Sequence, residues 1–409
     1  MAKRNDSPYP GRLFRNRLSQ LLNVTKASGG IEGCRAHSVS MAMMESLIGW
    51  LALKSIAGIG NRLCLELINC FGEPEKVFSA SRKELLDVDG ISKHLADRIA
   101  SYQVAEEVKE DLALVQRNGF RIITFSDCEY PALLRQIHDP PPVLYVYGKL
   151  RTNSLNIAMV GSRNATSYGS TTTRRLSGDL ARRGFTVISG MARGIDSAAH
   201  IGALSAKGET IAVLGCGLGT VYPAENRKLF HRIAETGAVI SEFPFLTPPE
   251  AYNFPIRNRI ISGMALGVII VEATRKSGSL ITAKLAAEQG REVFAVPGSV
   301  ASFKSMGTHG LIKEGAKLVE NVNDIIEELN IGPVNLSGPR AEAPPPTLTA
   351  EERIILNELS PYPIHIDEVV RQVALSAGEV SSLLLQLELK GLVAQSPGKH
   401  FAKSRPESR

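Results

Sequence analysis

Six short apolar runs, at 157–160, 185–188, 210–214, 238–240, 268–271 and 293–296, punctuate the middle of the chain. Helix-length segments at 168–183, 195–206, 225–235 and 279–289 separate most of them. A strand with one solvated face alternates apolar and polar residues, whereas a strand buried on both faces is apolar throughout. Uninterrupted runs with helices between them predict a parallel sheet covered on both sides. The expected fold class is therefore α/β, a Rossmann-like doubly wound parallel sheet.

The loops at the ends of these runs carry the chemistry. The first run leads into Gly161-Ser162-Arg163, the second into Ser189-Gly190-Met-Ala-Arg193-Gly194-Ile-Asp196, and the third into Gly215-Cys-Gly217-Leu-Gly219-Thr220. The last two lead into Glu272-Ala-Thr-Arg275-Lys276-Ser277-Gly278-Ser279 and Pro297-Gly298-Ser299. In a parallel sheet these loops emerge at one edge, where ligands bind. Glycine lets the backbone approach an anion, and the helix N-termini beyond the loops supply free N–H groups and a positive dipole. Arg163, Arg193, Arg275 and Lys276 share these loops, and Phe254-Pro-Ile-Arg257-Asn258-Arg259 adds two more cations. No single loop is diagnostic: Gly215-Cys-Gly217 lacks the third glycine of the dinucleotide fingerprint, and there is no P-loop lysine. Their convergence predicts a phosphate-binding crevice.

Charge supports that location. The 409 residues hold 47 basic and 41 acidic side chains, a net +6. Residues 1–40 hold seven basic and two acidic side chains, and residues 399–409 four and one. Between them, 41–150 is net −3, 151–330 is net +5 and 331–398 is net −4. Only the middle third is a basic folded body, so a polyanion is expected there.

The flanks read differently. Residues 1–40, rich in Arg, Ser, Asn and Gly, are expected to be a flexible tail. Met41, Met43 and Met44 mark an alternative start, and an Arg-rich targeting peptide is the other reading of the tail. Residues 41–125 hold two similar helical segments, each with a glycine turn, around Gly58-Ile-Gly60 and Gly90-Ile-Ser. They fit a SAM-like helix-hairpin-helix domain, and their negative charge favours a small helical bundle over a phosphate-gripping one. The Rossmann-like domain is expected over 126–330, a Pro-rich linker over 331–346 and a winged helix over 347–402, with a basic tail, 403–409, after it. Within the winged helix, Ser376 and Glu379 are spaced as a capping box. Five scattered cysteines show neither metal-ligand nor disulfide spacing, and no apolar run approaches the roughly 20 residues that span a bilayer. A reducing cytoplasm is the expected location.

The blocks also resemble a known family. Gly190-Met-Ala-Arg-Gly-Ile-Asp-Ser-Ala-Ala-His200, Thr210-Ile-Ala-Val-Leu-Gly-Cys-Gly217, Tyr222-Pro-Ala-Glu-Asn226 and Phe254-Pro-Ile-Arg-Asn-Arg-Ile-Ile-Ser-Gly263 are similar to signatures of the DNA-processing protein A (DprA, also called Smf) family. Val271-Glu-Ala-Thr-Arg-Lys-Ser-Gly-Ser-Leu-Ile-Thr282, Gly290-Arg-Glu-Val-Phe-Ala-Val-Pro-Gly298 and Gly307-Thr-His-Gly-Leu-Ile312 continue the match, which covers about residues 45 to 400. The resemblance implies sequence-independent single-stranded DNA binding, protection of incoming DNA, homodimerisation and loading of RecA in natural transformation or recombination. It makes Arg163 the central phosphate-binding arginine and Lys228 a basic residue beside the pocket. Where relatives often carry Asp, this chain has Gly219. Resemblance and loop pattern together place DNA contacts at Gly161, Ser162, Arg163, Gly190, Arg193, Gly217, Lys228, Arg257, Asn258, Arg259, Lys276, Ser277 and Gly278. No catalytic residue, metal or cofactor is expected.

Two other function classes are conceivable. A nucleotide-binding or nucleotide-hydrolysing enzyme would use Asp196, His200 and Glu272 as acid/base groups. The sequence suits them better as a helix cap, a core histidine and an anchor for Arg163 or Arg193. A sequence-specific regulator would read DNA with helix 376–389, but that segment holds no Arg or Lys. The aromatic content is only 6%, so phosphate grip rather than base stacking is expected; Tyr168, Tyr222 and Phe254 are the few possible stackers, with core packing the favoured role for each.

Overall fold

The computed structural model describes residues 41–151, 154–331, 348–360 and 362–403. The expected tail at 1–40, nearly all of the linker and the basic residues Arg405 and Arg409 lie outside the described residues.

All six apolar runs are strands. They are β3 (Leu155–Gly161), β4 (Phe185–Ser189), β5 (Thr210–Val213), β6 (Ala238–Ser241), β7 (Gly267–Val271) and β8 (Glu292–Ala295). With β1 (Arg121–Thr124), β2 (Val143–Gly148) and β9 (Lys317–Leu318) they form one sheet in the order β1-β2-β6-β5-β4-β3-β7-β8-β9. From β6 to β9 the strands are parallel, as expected of a doubly wound sheet. Alternation along β3 shows why it is apolar throughout. Ile157 and Met159 join one buried cluster, with Leu176, Leu180, Ile195 and Ala199. Ala158 and Val160 join another, with Ile260, Ile261, Ala283 and Ala286. Each face of the strand is thus covered by its own pair of helices.

Three strands of this sheet, β1, β2 and β9, escaped the sequence reading. β1 pairs antiparallel with β2, and β2 antiparallel with β6, so the parallel sheet carries an antiparallel extension at one edge. β1 is already part of the sheet although it precedes position 126, where the Rossmann-like domain was expected to start. The two strands are linked through a turn and the short helix Ala132–Arg135, which leaves no crossover pattern for the sequence to show.

The chain runs outward from β3 through β4 and β5 to β6, then crosses back over helix Asn253–Gly263 to enter β7 on the other side of β3. The order reverses between β3 and β7. Open parallel sheets bind ligands at such a switch point.

Residues 41–117 are largely helical. Gly58 and Gly90 adopt positive φ, 98° and 86°, at the two turns that the sequence marked. The helical layer shares a core with the sheet, since Trp50, Leu67 and Leu112 lie in one cluster with Tyr145, Leu214 and Phe245. At the carboxyl end of the chain, helices Ala350–Glu358, Ile366–Gln372 and Ala377–Leu389 pack with a small antiparallel sheet, β10 (Ile364–His365), β11 (Val393–Ser396) and β12 (His400–Lys403). This is the expected winged helix. Ser376 and Glu379 form the predicted capping box, and β11–β12 is the wing. Among the described residues, no helix is long and apolar enough to cross a membrane.

Candidate nucleic-acid interface

The five loops emerge side by side because the strands that launch them are neighbours: β5, β4, β3, β7, β8. Two glycines make the middle of this rim possible. A Cβ on Gly161 would clash with the carbonyl of Val271, so β3 and β7 approach there as only glycine allows. Gly194, at φ 74°, lies so close to the Ser162 and Arg163 carbonyls that a side chain could not fit. Ile195 N–H donates to the Ser162 carbonyl at 3.1 Å, tying the loops after β3 and β4 together.

Carboxylates hold this rim from below. Asp196 was expected to cap its own helix, but Gly194 occupies the cap position. The carboxylate of Asp196 instead reaches back and accepts from Gly190 N–H at 3.2 Å and Ala192 N–H at 3.3 Å. Burial pushes its carboxyl above the ordinary value, against the opposing pull of Arg257 and these two amides. Glu272 was expected to anchor an arginine. Buried at the end of β7, it accepts from the Thr166 amide at 2.9 Å and from the Thr166 hydroxyl. Thr166 in turn caps helix Ser167–Arg182, so Glu272 fixes where that helix begins. His200 is sealed in the core, its Nδ1 2.7 Å from Thr210 Oγ1, and burial lowers its pKa to about 3. All three candidate acid/base groups are thus taken up by the scaffold.

Two of the expected contact arginines are also scaffold. Arg257 is 3% exposed. Its Nη1 donates to the Gly190 carbonyl at 2.7 Å and to the Val213 carbonyl, bracing the ends of β4 and β5 from beneath. Burial lowers its pKa to about 10, which still leaves it charged at neutral pH. Arg259 faces elsewhere. It pairs with Glu242 and, at 3.2 Å, with Asp139. Glu242 also receives Lys54 Nζ on its main-chain carbonyl at 2.5 Å, so Arg259 belongs to the joint between helical layer and sheet. Alternate residues of a helix point to different sides, which separates Arg257 from Arg259. Asn258 between them is half-buried.

Several amides expected to face an anion are likewise committed. Gly190 N–H is held by Asp196, and Gly217 N–H donates to the Thr247 carbonyl at 2.9 Å. Both glycines are buried. Gly219 donates to the Phe245 carbonyl, and a Cβ there would come within 2.7 Å of that ring. The exposed cations remain. Arg163, Lys228, Arg275 and Lys276 are exposed, and no ion pair ties any of them among the described residues. Arg193 is exposed too but is held by Glu225. Gly161, Ser162 and Ser277 are half-buried beside them, and Gly278 is exposed at the start of helix Gly278–Glu288. Lys228 is brought to the rim by Asn226, whose buried amide donates to the Met191 carbonyl at 2.8 Å and to Ser197 Oγ at 2.9 Å.

Sequence reasoning missed one feature of the rim and favoured the wrong role for another. Lys304, in the loop after β8, donates to the Asn164 carbonyl at 2.6 Å and pins that loop to the one bearing Arg163. The aromatic residues are not all core. Tyr222 is 43% exposed, its ring 5.7 Å from that of Phe254, and the Arg163 guanidinium lies over Phe254 at 5.2 Å. Tyr168 stacks on Tyr362 of the winged helix at 5.6 Å and donates its hydroxyl to the Pro297 carbonyl. The signal was position: Tyr222 lies just before a helical turn at the rim, and Phe254 lies in the first turn of helix Asn253–Gly263.

Residues 121–330 match a family described as DNA recombination-mediator protein A. Residues 339–399 match the DprA winged helix domain, and 51–101 a SAM-like helix-hairpin-helix tandem. The chain is 36% identical over 389 residues to Protein Smf of a Synechocystis species, covering 87% of this chain and 98% of that protein. It is 44% identical over 220 residues to the DNA processing protein DprA of Bacillus subtilis, covering 53% of this chain and 74% of that one. Among solved structures, the DNA processing protein A of Streptococcus pneumoniae superimposes with a TM-score of 0.60 at 33% identity. That match covers 71% of this chain and 99% of the other.

Proposed function

The chain belongs to the DNA-processing protein A (DprA, or Smf) family, and on that premise we propose that it binds single-stranded DNA along the loop rim without sequence preference and delivers it to RecA. The observation that carries the reading is the contrast between cations at the rim. Arg257 and Arg259 are buried among carbonyls and carboxylates, while Arg163, Arg275 and Lys276 stand exposed on neighbouring loops and Lys228 in the first turn of helix Arg227–Thr236. Free cations in a row suit a sugar-phosphate chain, whose charges repeat along its length. Such contacts position a strand and read no base. The family description as a recombination mediator supports handover to RecA and a binding role rather than turnover. Homodimerisation and action in the cytoplasm complete the proposal, in line with the family resemblance.

The test is a mobility shift with single- and double-stranded oligonucleotides across a salt series, comparing the unaltered chain with Arg163→Ala. Preference for the single strand, an affinity that falls linearly on a log–log salt plot, and a marked loss in the variant are the expected results. Equal affinity for both nucleic acids, or an Arg163→Ala curve that overlays the original, would sink the reading.

A further inference from the structure

The winged helix leaves one stripe of helix surface uncovered. Along helix Ala377–Leu389, Val380, Leu383, Leu384 and Leu387 enter the core of that domain. The opposite side presents Gly378, Ser381, Ser382, Leu385 and Leu389, all exposed, with Leu385 at 57% and Leu389 at 80%. Spacings of three and four residues align them on one face. Nothing lies within 4 Å of a Cβ built on Gly378, so the stripe begins over open space. No charge interrupts it. Glu388 borders it on one side and Glu379 on the other. Glu379 uses Oε2 for the Ser376 cap and Glu388 uses Oε1 for the Gln395 N–H, so each carboxylate keeps a second oxygen among the described residues. Lys390, just beyond the helix, is paired with Glu352 at 2.6 Å.

One segment of the same chain carries the complementary pattern. In Arg12-Leu-Phe14-Arg15-Asn-Arg17-Leu18-Ser-Gln-Leu21-Leu22, outside the described residues, Phe14, Leu18, Leu21 and Leu22 recur at helical spacing. On that period Arg15 and Arg17 fall on the two borders of the apolar stripe, as Glu379 and Glu388 do on theirs. As helices, Phe14 to Leu22 would measure about 12 Å and Gly378 to Leu389 about 16 Å, so the stripes match in length. Their surroundings match in charge, since residues 1–40 are net +5 and 331–398 net −4. The stretch from Leu22 to Met41 can extend over roughly 60 Å, which gives the segment ample reach.

We propose that residues 12–22 dock as an amphipathic helix on helix Ala377–Leu389, a clasp within one chain between its first segment and its winged helix. The clasp is independent of the strand-binding reading. A single short helix is marginal in water, so the segment gains its order from burying its stripe against Leu385 and Leu389. Gly378, Ser381 and Ser382 give the Phe14 ring room to approach. The two glutamates favour a basic partner and disfavour an acidic one, which sets the surface against nucleic acid. While docked, Arg15 and Arg17 face carboxylates, so the clasp keeps these cations from competing with the loop rim for a strand.

The test uses the full chain with p-benzoylphenylalanine in place of Phe14, which keeps an aromatic ring there and cross-links on irradiation to what lies beside it. Mass spectrometry is expected to place the cross-links within 377–389, and in a mixture of isotopically labelled and unlabelled chains they should join residues of one chain. Leu385→Glu combined with Leu389→Glu leaves the core side of the helix untouched and should remove most of this yield. Hydrogen exchange reads the same contact without altering that helix. Arg15→Glu combined with Arg17→Glu should speed exchange of the amides at 380–389 roughly fivefold. Absent cross-links, cross-links at another surface or only between copies, a yield indifferent to the leucine changes, or identical exchange profiles would overturn the clasp.

Discussion

Both carboxylate oxygens of Glu225 are engaged by one side chain: Arg193 Nε donates to Oε1 at 2.9 Å and Nη2 to Oε2 at 2.7 Å. The side chains remain 64% and 54% exposed, so water and salt compete freely with the pair. A phosphate presents a similar pair of acceptors to the same fork. On the proposed reading, a strand phosphate would take the place of Glu225, and binding by Arg193 would require exchange of partners. Glu225→Gln is expected to tighten single-strand binding about threefold at low salt and to steepen the salt slope by about one unit. An unchanged slope in a salt titration would show that Arg193 does not reach the strand.

Arg163 combines charge with a planar contact over Phe254 at 5.2 Å. Arg163→Ala should weaken binding to all sequences alike, by about tenfold, and make the salt slope shallower by about one unit. Arg163→Lys should restore the slope but not the full affinity, because an ammonium lacks the flat face and the fork. Anisotropy titrations with strands of different composition check this, and loss confined to some sequences would contradict it.

Arg259 was expected at the crevice, yet its partners are Glu242 and Asp139 beside the helical layer. Arg259→Ala would leave the buried Glu242 without its nearest cation and should cost about 3 kcal/mol of stability. The strand affinity of the folded fraction should not change. Urea denaturation and binding measured on the same preparation separate the two effects.

The sheet was legible because burial on both faces leaves an unbroken apolar run, as in Val268, Ile269, Ile270 and Val271. The rim came from topology, since parallel strands release their loops at one edge. Individual roles within the rim were not legible. Arg257 and Arg163 are both arginines in motifs at the rim, and only the depth of the helix start beneath β4 and β5 separates a brace from a free cation. Glu272 shows the same limit. Its position at a strand end was read correctly, but the partner it meets, Thr166, lies 106 residues away and depends on the close approach of β3 and β7. The antiparallel edge formed by β1 and β2 was missed because only the four-residue helix Ala132–Arg135 lies between them, so no alternation of strand and long helix marks it.

The helix Ala377–Leu389 holds Glu379 and Glu388 and no basic residue, and it exposes Leu385 and Leu389 one turn apart. A nucleic acid would meet acid and hydrocarbon on this surface. Removal of residues 347–409 should leave single-strand affinity within about threefold of the full chain, after loss of the Tyr168–Tyr362 stack and of the basic residues at 399–409. A collapse of affinity in the truncated chain would assign strand contacts to the winged helix.

His200 gives the fold a dependence on pH that is independent of binding. Thr210 donates its one hydroxyl proton to the Val187 carbonyl at 2.6 Å, so toward His200 it accepts, and Nδ1 carries the proton of a neutral ring. The Nε2 side has no partner among the described residues. Burial, with the nearby charge of Arg257, lowers the folded pKa to about 3, whereas the unfolded ring titrates near 6.5. Between these values the unfolded chain binds a proton that the folded chain refuses, so stability is full above about pH 6.5 and falls on acidification. The slope approaches about 1.4 kcal/mol per pH unit, or roughly 2 kcal/mol between pH 6.5 and 5. Asp196 acts in the opposite sense: its raised pKa lets the folded chain keep a proton that the unfolded chain releases, a stability present in acid and lost as pH rises. His200→Asn keeps an N–H for Thr210, removes the histidine's titration and leaves Asp196 in place, so the difference between the two proteins isolates the histidine. Its urea midpoint should therefore fall less on acidification from about pH 6.5 to 5 than that of the unaltered chain. Parallel profiles for the two proteins would place the acid sensitivity elsewhere.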